Sequence, residues 1–387
     1  MRVRVVLVMA VVALALMGPR VVRAQENSPG ALKVTEPLDY QVFQQDAAGQ
    51  AVIKVTVLGA APGSKVIARL DLLPGPGYTG EDGNWTALQE GPGNFSGHIL
   101  GTAGGWYTVL VRCTEPSGKF RPGLVPHVGV GEVLITAGQA NAANFGETPQ
   151  KPSDDRVVAF DGKSWTAAND PQPGAGGRGG STWPHLGDML ARNLQVPIGF
   201  VSLAVGGATS GQWAPDKGEM FPRLVQAVQP LGRQGARVLL WDQGESDAVE
   251  GTSAEDYAKR LTAVMQALDK QLGWHLPWMV AQAAYGFGPR YPEAQQEQVR
   301  KGQQLLWQRG LAFQGPLTDD LTGATYRAKE GGEWIHFNTA GLQTVAERWF
   351  AMLWGQLYSY PYLIPASGQD MLTAPEESDL DKLIKGK

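Results

Sequence analysis

Hydrophobic and polar positions alternate in short runs through the first third of the chain. Ala51 to Leu58, Lys65 to Leu72, Phe95 to Leu100 and Trp106 to Arg112 read as strands of period two. Turn clusters such as Ala61-Pro62-Gly63-Ser64 and Gly91-Pro92-Gly93 separate them. No helical period interrupts these runs between about Leu32 and Val130, which predicts a small all-β sandwich over residues 30–128. After Val130 the pattern changes. Glu132 to Ala137, Ile198 to Val205, Arg237 to Asp242 and Leu276 to Gln282 have the apolar, β-branched character of buried strands. Helical spacing appears over Trp183 to Leu194, Phe221 to Leu231, Ala254 to Leu272, Glu293 to Arg309 and Thr339 to Leu357. Ser253 stands as a cap before the third of these, with acids in the turn behind it. Strands alternating with helices over residues 130–360 predict an α/β domain, a parallel sheet covered by helices on both faces. Between Gln150 and Trp183 lies a long loop, with Gly174 to Gly180 expected as its flexible part. The charged tail, residues 361–387, is expected to fray.

The N-terminus changes the picture of where the protein works. Arg2 and Arg4 precede an apolar stretch from Val5 to Met17, and Val22-Arg23-Ala24 resembles a cleavage site. Residues 1–24 therefore read as a signal peptide, which predicts a secreted or periplasmic protein with no membrane span in the mature chain. The apolar stretch is too short to span a bilayer comfortably, so retention as an uncleaved anchor is the lesser alternative. A net charge of -4 with no Lys/Arg cluster argues against nucleic acid as a partner. Cys113 is the single cysteine, which rules out an intramolecular disulfide and argues against a cysteine-rich metal site. It falls in an alternating strand run and reads as a packing residue rather than a nucleophile.

The candidate chemistry gathers at strand ends. Glu132 to Ala137 is followed by Gly138, which permits a sharp turn, and then by Gln139, Ala140 and Asn141. In open α/β sheets the carboxyl ends of strands are where ligands bind, and several hydrolase folds present a nucleophilic serine on such a turn. Three further blocks stand out: Ala204 to Thr209 followed by Trp213, Trp241 to Asp247, and Glu333 to Gly341 leading into the last helix.

In this order the four blocks resemble those of the SGNH (GDSL-type) hydrolases. More narrowly they are similar to the sialate O-acetylesterase-like carbohydrate esterases, whose blocks read GQSN, GGT, QGESD and D-x-x-H. The resemblance runs from about Val130 to Leu357 and implies a flavodoxin-like parallel sheet preceded by the small β-sandwich. It also implies removal of O-acetyl groups from a glycan, with an acetylated carbohydrate as partner and without metal or cofactor. By resemblance His336 is the base and Glu333 the acid that orients it, where the family usually has aspartate. The oxyanion hole falls to the backbone N–H groups of Ala140 and Gly207. A third donor is expected from Gln243, because Glu245 and Asp247 only accept hydrogen bonds when ionised. Trp213 and Trp183 are candidates for stacking on a sugar ring, although tryptophans are most often large core or rim residues. Asn141 and Glu245 are candidates for contacts with substrate, while Glu245 and Asp247 read at least as well as a hydrogen-bonded network holding the loop.

The serious departure is Ala140, which occupies the family's serine position. A methyl group has neither a lone pair nor a proton to lose, so it cannot act as a covalent nucleophile. Three readings stay open: an esterase whose serine has been replaced, a glycan-binding pseudoenzyme, or hydrolysis by a water activated at His336. Ser181, Ser210 and Ser246 lie nearby in sequence but off the turn. Glycoside hydrolysis by two carboxylates from among Glu245, Asp247 and Glu333 is a further alternative that needs no serine.

Overall fold

The computed structural model describes residues 30–216, 218–329 and 334–359. The expected signal peptide, the tail from residue 361 and Glu333, the expected orienting acid, lie outside the described residues. The chain divides into two compact units, one up to Gly131 with Gln195–Pro197, the other comprising the remainder.

In the first unit the alternating runs form strands. These are β1 Lys33–Glu36, β2 Gln41–Gln44, β3 Gln50–Leu58, β4 Lys65–Leu72, β5 Thr86–Ala87, β6 Gln89–Gly91, β7 Asn94–Thr102 and β8 Gly105–Thr114. The first part of β9, Phe120–Gly138, completes them. One sheet runs β1-β3-β7-β6, while β8 pairs with β4 and with β9. The period of two decides which side chains go inside. In β3, Ile53, Val55 and Val57 are buried while Val52, Lys54 and Leu58 are exposed. They share a core with Val66, Ala68 and Leu70 of β4 and with Val109, Val111 and Cys113 of β8. Each such fully buried valine or isoleucine contributes about 1.5–3 kcal/mol. Cys113 is buried in this core as a packing residue.

The second unit is a mixed α/β structure, a multi-stranded sheet flanked by helices. Its strands are the end of β9, β10 Val157–Phe160, β11 Trp165–Ala167, β12 Ile198–Ser202, β13 Val238–Asp242, β14 Trp278–Gln282 and β15 Phe313–Leu317. They are ordered β11-β10-β12-β9-β13-β14-β15, parallel except for the β10–β11 pair. After β9 the chain passes to β10 and the edge strand β11, returns to β12 beside β9, and then crosses to β13 on the other side of β9. That reversal opens a crevice at the carboxyl end of β9, the usual ligand position in such sheets. Helices Trp183–Leu194, Met220–Val228, Ala254–Leu272, Glu293–Gln308 and Thr339–Leu353 connect or follow the strands. Ala254–Leu272 illustrates why they form. Tyr257, Ala258, Leu261, Val264, Met265 and Leu268 make one buried stripe, and the Ser253 side chain accepts a hydrogen bond from the Asp256 N–H.

The long loop differs from its expectation as an open, flexible segment. Asp170 accepts hydrogen bonds from the backbone N–H and hydroxyl of Ser181, both at 2.6 Å, and from the Gln150 N–H at 2.9 Å. Asp188 does the same for Ser153 and Asp154. The glycine stretch is hydrogen bonded along its length. The N–H groups of Gly179 and Gly180 donate to Asn144 and Gly146, and that of Gly176 to Ala204. Its glycines allow backbone to approach backbone rather than freeing the segment.

Candidate active site

The site is built outward from the end of β9. Gly138 has φ +132°, and a Cβ there would stand 2.0 Å from the carbonyl oxygen of Asp242. Only glycine lets β9 and β13 stay this close as they leave the sheet. The Gln139 N–H then donates to that Asp242 carbonyl at 2.9 Å, and the chain turns through Ala140–Ala142 in a single 3-10 turn.

Two side chains of this turn fasten the other blocks to it. Oε1 of the Gln139 side chain accepts from the Gln243 side-chain amide at 3.2 Å, the Gly244 N–H at 3.3 Å and the Ser246 N–H at 3.1 Å. The Asn141 amide donates to Glu245 Oε1 at 2.5 Å and to the carbonyl of Ile335, beside His336, at 3.4 Å. The second block is joined through Asp247, which accepts from the N–H and hydroxyl of Ser210 at 2.7 and 2.6 Å. Gly207 has φ +74°, and no atom stands within 4 Å of a Cβ there. Its backbone thus borders open space. The ring of His336 lies 5.3 Å from that of Phe145, and Phe145 also covers Gly206. Block four therefore meets the first two through one aromatic ring.

Below the turn is a buried carboxylate pair. Burial raises the Asp242 carboxyl well above the usual range, and the charge of Glu245 adds to the shift. Burial raises Glu245 too, against the opposing effects of Arg327 and of the Asn141 bond. Oδ1 of Asp242 and Oε2 of Glu245 have no hydrogen-bond partner among the described residues. Burial and their mutual repulsion thus favour the protonated form of both groups.

Several expectations need correction. Trp213 is 1% exposed and packs edge-on against Trp241 at 5.3 Å, and Trp183 is wholly buried. Neither offers a face to a sugar. Gln243 is also fully buried, and its amide hydrogens face Asp247 at 2.6 Å, the Ala208 carbonyl and Gln139. It ties loops together, its amide hydrogens already engaged by Asp247, Ala208 and Gln139. Asn141 and Glu245 bond to each other, and Glu245 is 3% exposed, so they serve the frame rather than a ligand surface. With Asp247 also engaged and buried, a glycosidase carboxylate pair with an open face is not formed from Glu245 and Asp247. Ser210 and Ser181 have given their hydroxyls to Asp247 and Asp170 and are buried, so neither is open to act as a nucleophile. Ala140 itself is 5% exposed at the turn.

In the sequence Gln139 and Asp242 fall within the blocks with no role assigned, and Phe145 and Arg327 fall outside them. The first two were visible as polar residues closing apolar runs. Phe145 and Arg327 carry no motif of their own.

The sequence profile of a carbohydrate esterase family described as sialic acid-specific acetylesterase matches residues 130–354. The chain belongs to this family. The match spans all four blocks and the described sheet from β9 to the last helix. Among solved structures, a carbohydrate acetylesterase from Xanthomonas citri is 20% identical with a TM-score of 0.57, over 84% of this chain and 76% of its own. At that identity it supports the fold alone. A protein from Arabidopsis thaliana is 19% identical with a TM-score of 0.46, over 57% of this chain and 97% of its own. Comparison with curated proteins gave no match.

Proposed function

We propose that residues 130–360 form an SGNH-type carbohydrate O-acetylesterase domain of flavodoxin-like topology, and that residues 30–128 form a β-sandwich domain before it. The protein acts outside the cytoplasm after removal of residues 1–24. The reading rests on one observation above others: Gln139 and Asn141 fasten the turn at residue 140 to the third and fourth blocks, independently of the side chain at 140.

In the complete form of this site a serine hydroxyl at position 140 attacks the acetyl carbonyl carbon. His336 takes the hydroxyl proton, and Glu333 orients the imidazole. The N–H groups of residues 140 and 207 receive the developing oxyanion. The sugar hydroxyl leaves with the proton from His336, and water then releases acetate from the acyl-enzyme. In this chain Ala140 stops that sequence before its first bond. The function of the natural chain is accordingly recognition of an O-acetylated glycan, with only residual hydrolysis.

Ala140→Ser tests the reading directly. The variant is expected to release acetate from an acetylated chromogenic ester, and the natural chain to bind acetylated sugar without turning it over. An inert Ala140→Ser protein that folds normally sinks the esterase reading.

A further inference from the structure

Arg327 follows the short helix Gly323–Tyr326, is 2% exposed, and has no part in the chemistry above. Its guanidinium donates from Nε to the Leu321 carbonyl at 2.6 Å and from Nη2 to that of Thr318 at 3.1 Å. Nη1 donates to the carbonyl of Ile335. Its central carbon lies over the rings of Tyr285 and Phe337, 4.5 and 4.3 Å from their centroids. Donors aimed at three separate carbonyls need a rigid planar fork, which lysine lacks.

What the fork holds is the segment that carries the base. The Ala328 N–H donates to the His336 carbonyl and the Asn338 N–H to that of Tyr326, both at 2.9 Å, so Arg327 lies in a short antiparallel bridge with Phe337. The peptide carbonyl just before His336 is then gripped twice, by Arg327 and by Asn141 from the turn at residue 140. A buried cation is retained against a desolvation penalty, so apolar packing alone does not account for it. Its charge is balanced by Glu245, Asp319 and Asp242, of which Asp319 also accepts from Arg300 at 3.0 Å.

We propose that Arg327 is the positioning residue of this site: by holding the Ile335 carbonyl it sets where the His336 imidazole stands relative to the turn at residue 140. The inference rests on the reading of His336 as the base.

The test follows the His336 imidazole by NMR through a pH titration of the full natural chain, with its signal identified by loss in His336→Ala. In Arg327→Met, His336 alone among the five histidines is expected to change its shift and titration midpoint. Placed in the Ala140→Ser background, the same substitution is expected to lower kcat about 100-fold, with KM held within about twofold. Arg327→Lys keeps the charge but not the fork and should recover only part of kcat. A folded Arg327→Met protein whose His336 signal is unmoved overturns the proposal. If Arg327→Met does not fold, Arg327→Lys carries the test, and an unchanged His336 signal in it overturns the proposal equally. If Ala140→Ser is inert while the His336 signal still responds, the positioning role stands and the esterase reading alone fails.

Discussion

The side-chain amide of Asn141 lies 2.5 Å from Oε1 of Glu245, joining the turn after β9 to the start of the helix after β13. Glu245 is buried, and its other oxygen has no partner among the described residues. Replacing Asn141 by alanine removes the side-chain donor of this buried carboxyl group. Asn141→Ala is expected to destabilise the protein by about 1–3 kcal/mol, read from chemical denaturation. Equal stability of the two proteins would mean that this bond does not brace the turn.

The carboxyl pair beneath the turn makes stability depend on pH. Asp242 and Glu245 are both raised in the folded protein, whereas unfolded carboxyls titrate near about 4. The folded state therefore binds more protons than the unfolded one above that value. The pair's contribution is complete below about pH 4 and is lost as pH rises through the raised folded values. Asp242→Asn keeps the shape of the protonated acid without its ionisation. Its stability should fall less between pH 5 and 8 than that of the natural chain, to be measured as denaturation midpoints across that range.

Two glycines of the site should respond differently to one methyl group. At Gly138 a Cβ meets the Asp242 carbonyl, and the backbone is at positive φ. Gly138→Ala is expected to cost on the order of 3–5 kcal/mol, combining strain with a backbone collision. Gly207 is also at positive φ but borders open space, so Gly207→Ala should cost only about 1–2 kcal/mol. Thermal melts of the pair decide it, and comparable losses would contradict the difference in close approach.

His336 is tested once a nucleophile is present. In the Ala140→Ser background, His336→Ala should lower kcat/KM by about 100-fold or more. If acetate release survives that change, proton transfer does not pass through His336.

Trp213 gives a check on its burial. Trp213→Ala should destabilise the fold by about 3–5 kcal/mol, while Trp213→Phe should leave binding of an acetylated oligosaccharide unchanged. Loss of binding in a stable Trp213→Phe protein would return the residue to the ligand surface.

How far the sequence could be read depended on the kind of order involved. Helix Ala254–Leu272 was legible to the residue because its apolar stripe, serine cap and following glycine all agree. Strand Phe313–Leu317 was not, since Gly315 and Pro316 interrupt any strand-like run. Gly315 lies there because its backbone closes on Val280 and Ala281 of β14, a tertiary reason with no local trace. The four blocks were visible as short motifs, but the roles inside them were not. A buried tryptophan and a sugar-stacking tryptophan are the same letter, and Trp213 was read as the second. Gln243 was judged by the hydrogens it owns, while its neighbours Asp247 and Ala208 had already claimed them. Arg327 escaped notice because what it binds are carbonyls, which every residue carries.

The hydrogen bonds that shape the turn come from backbone groups and from the side chains of Gln139 and Asn141, and the methyl of Ala140 takes part in none of them. Every alanine codon is a single base from one of the serine codons. On the reading proposed above, a lineage carrying this architecture can therefore lose or regain a serine at residue 140 in one mutational step without passing through a misfolded intermediate. Activity would then be an easily reversed trait laid on a durable scaffold, and close relatives with either residue should share one backbone.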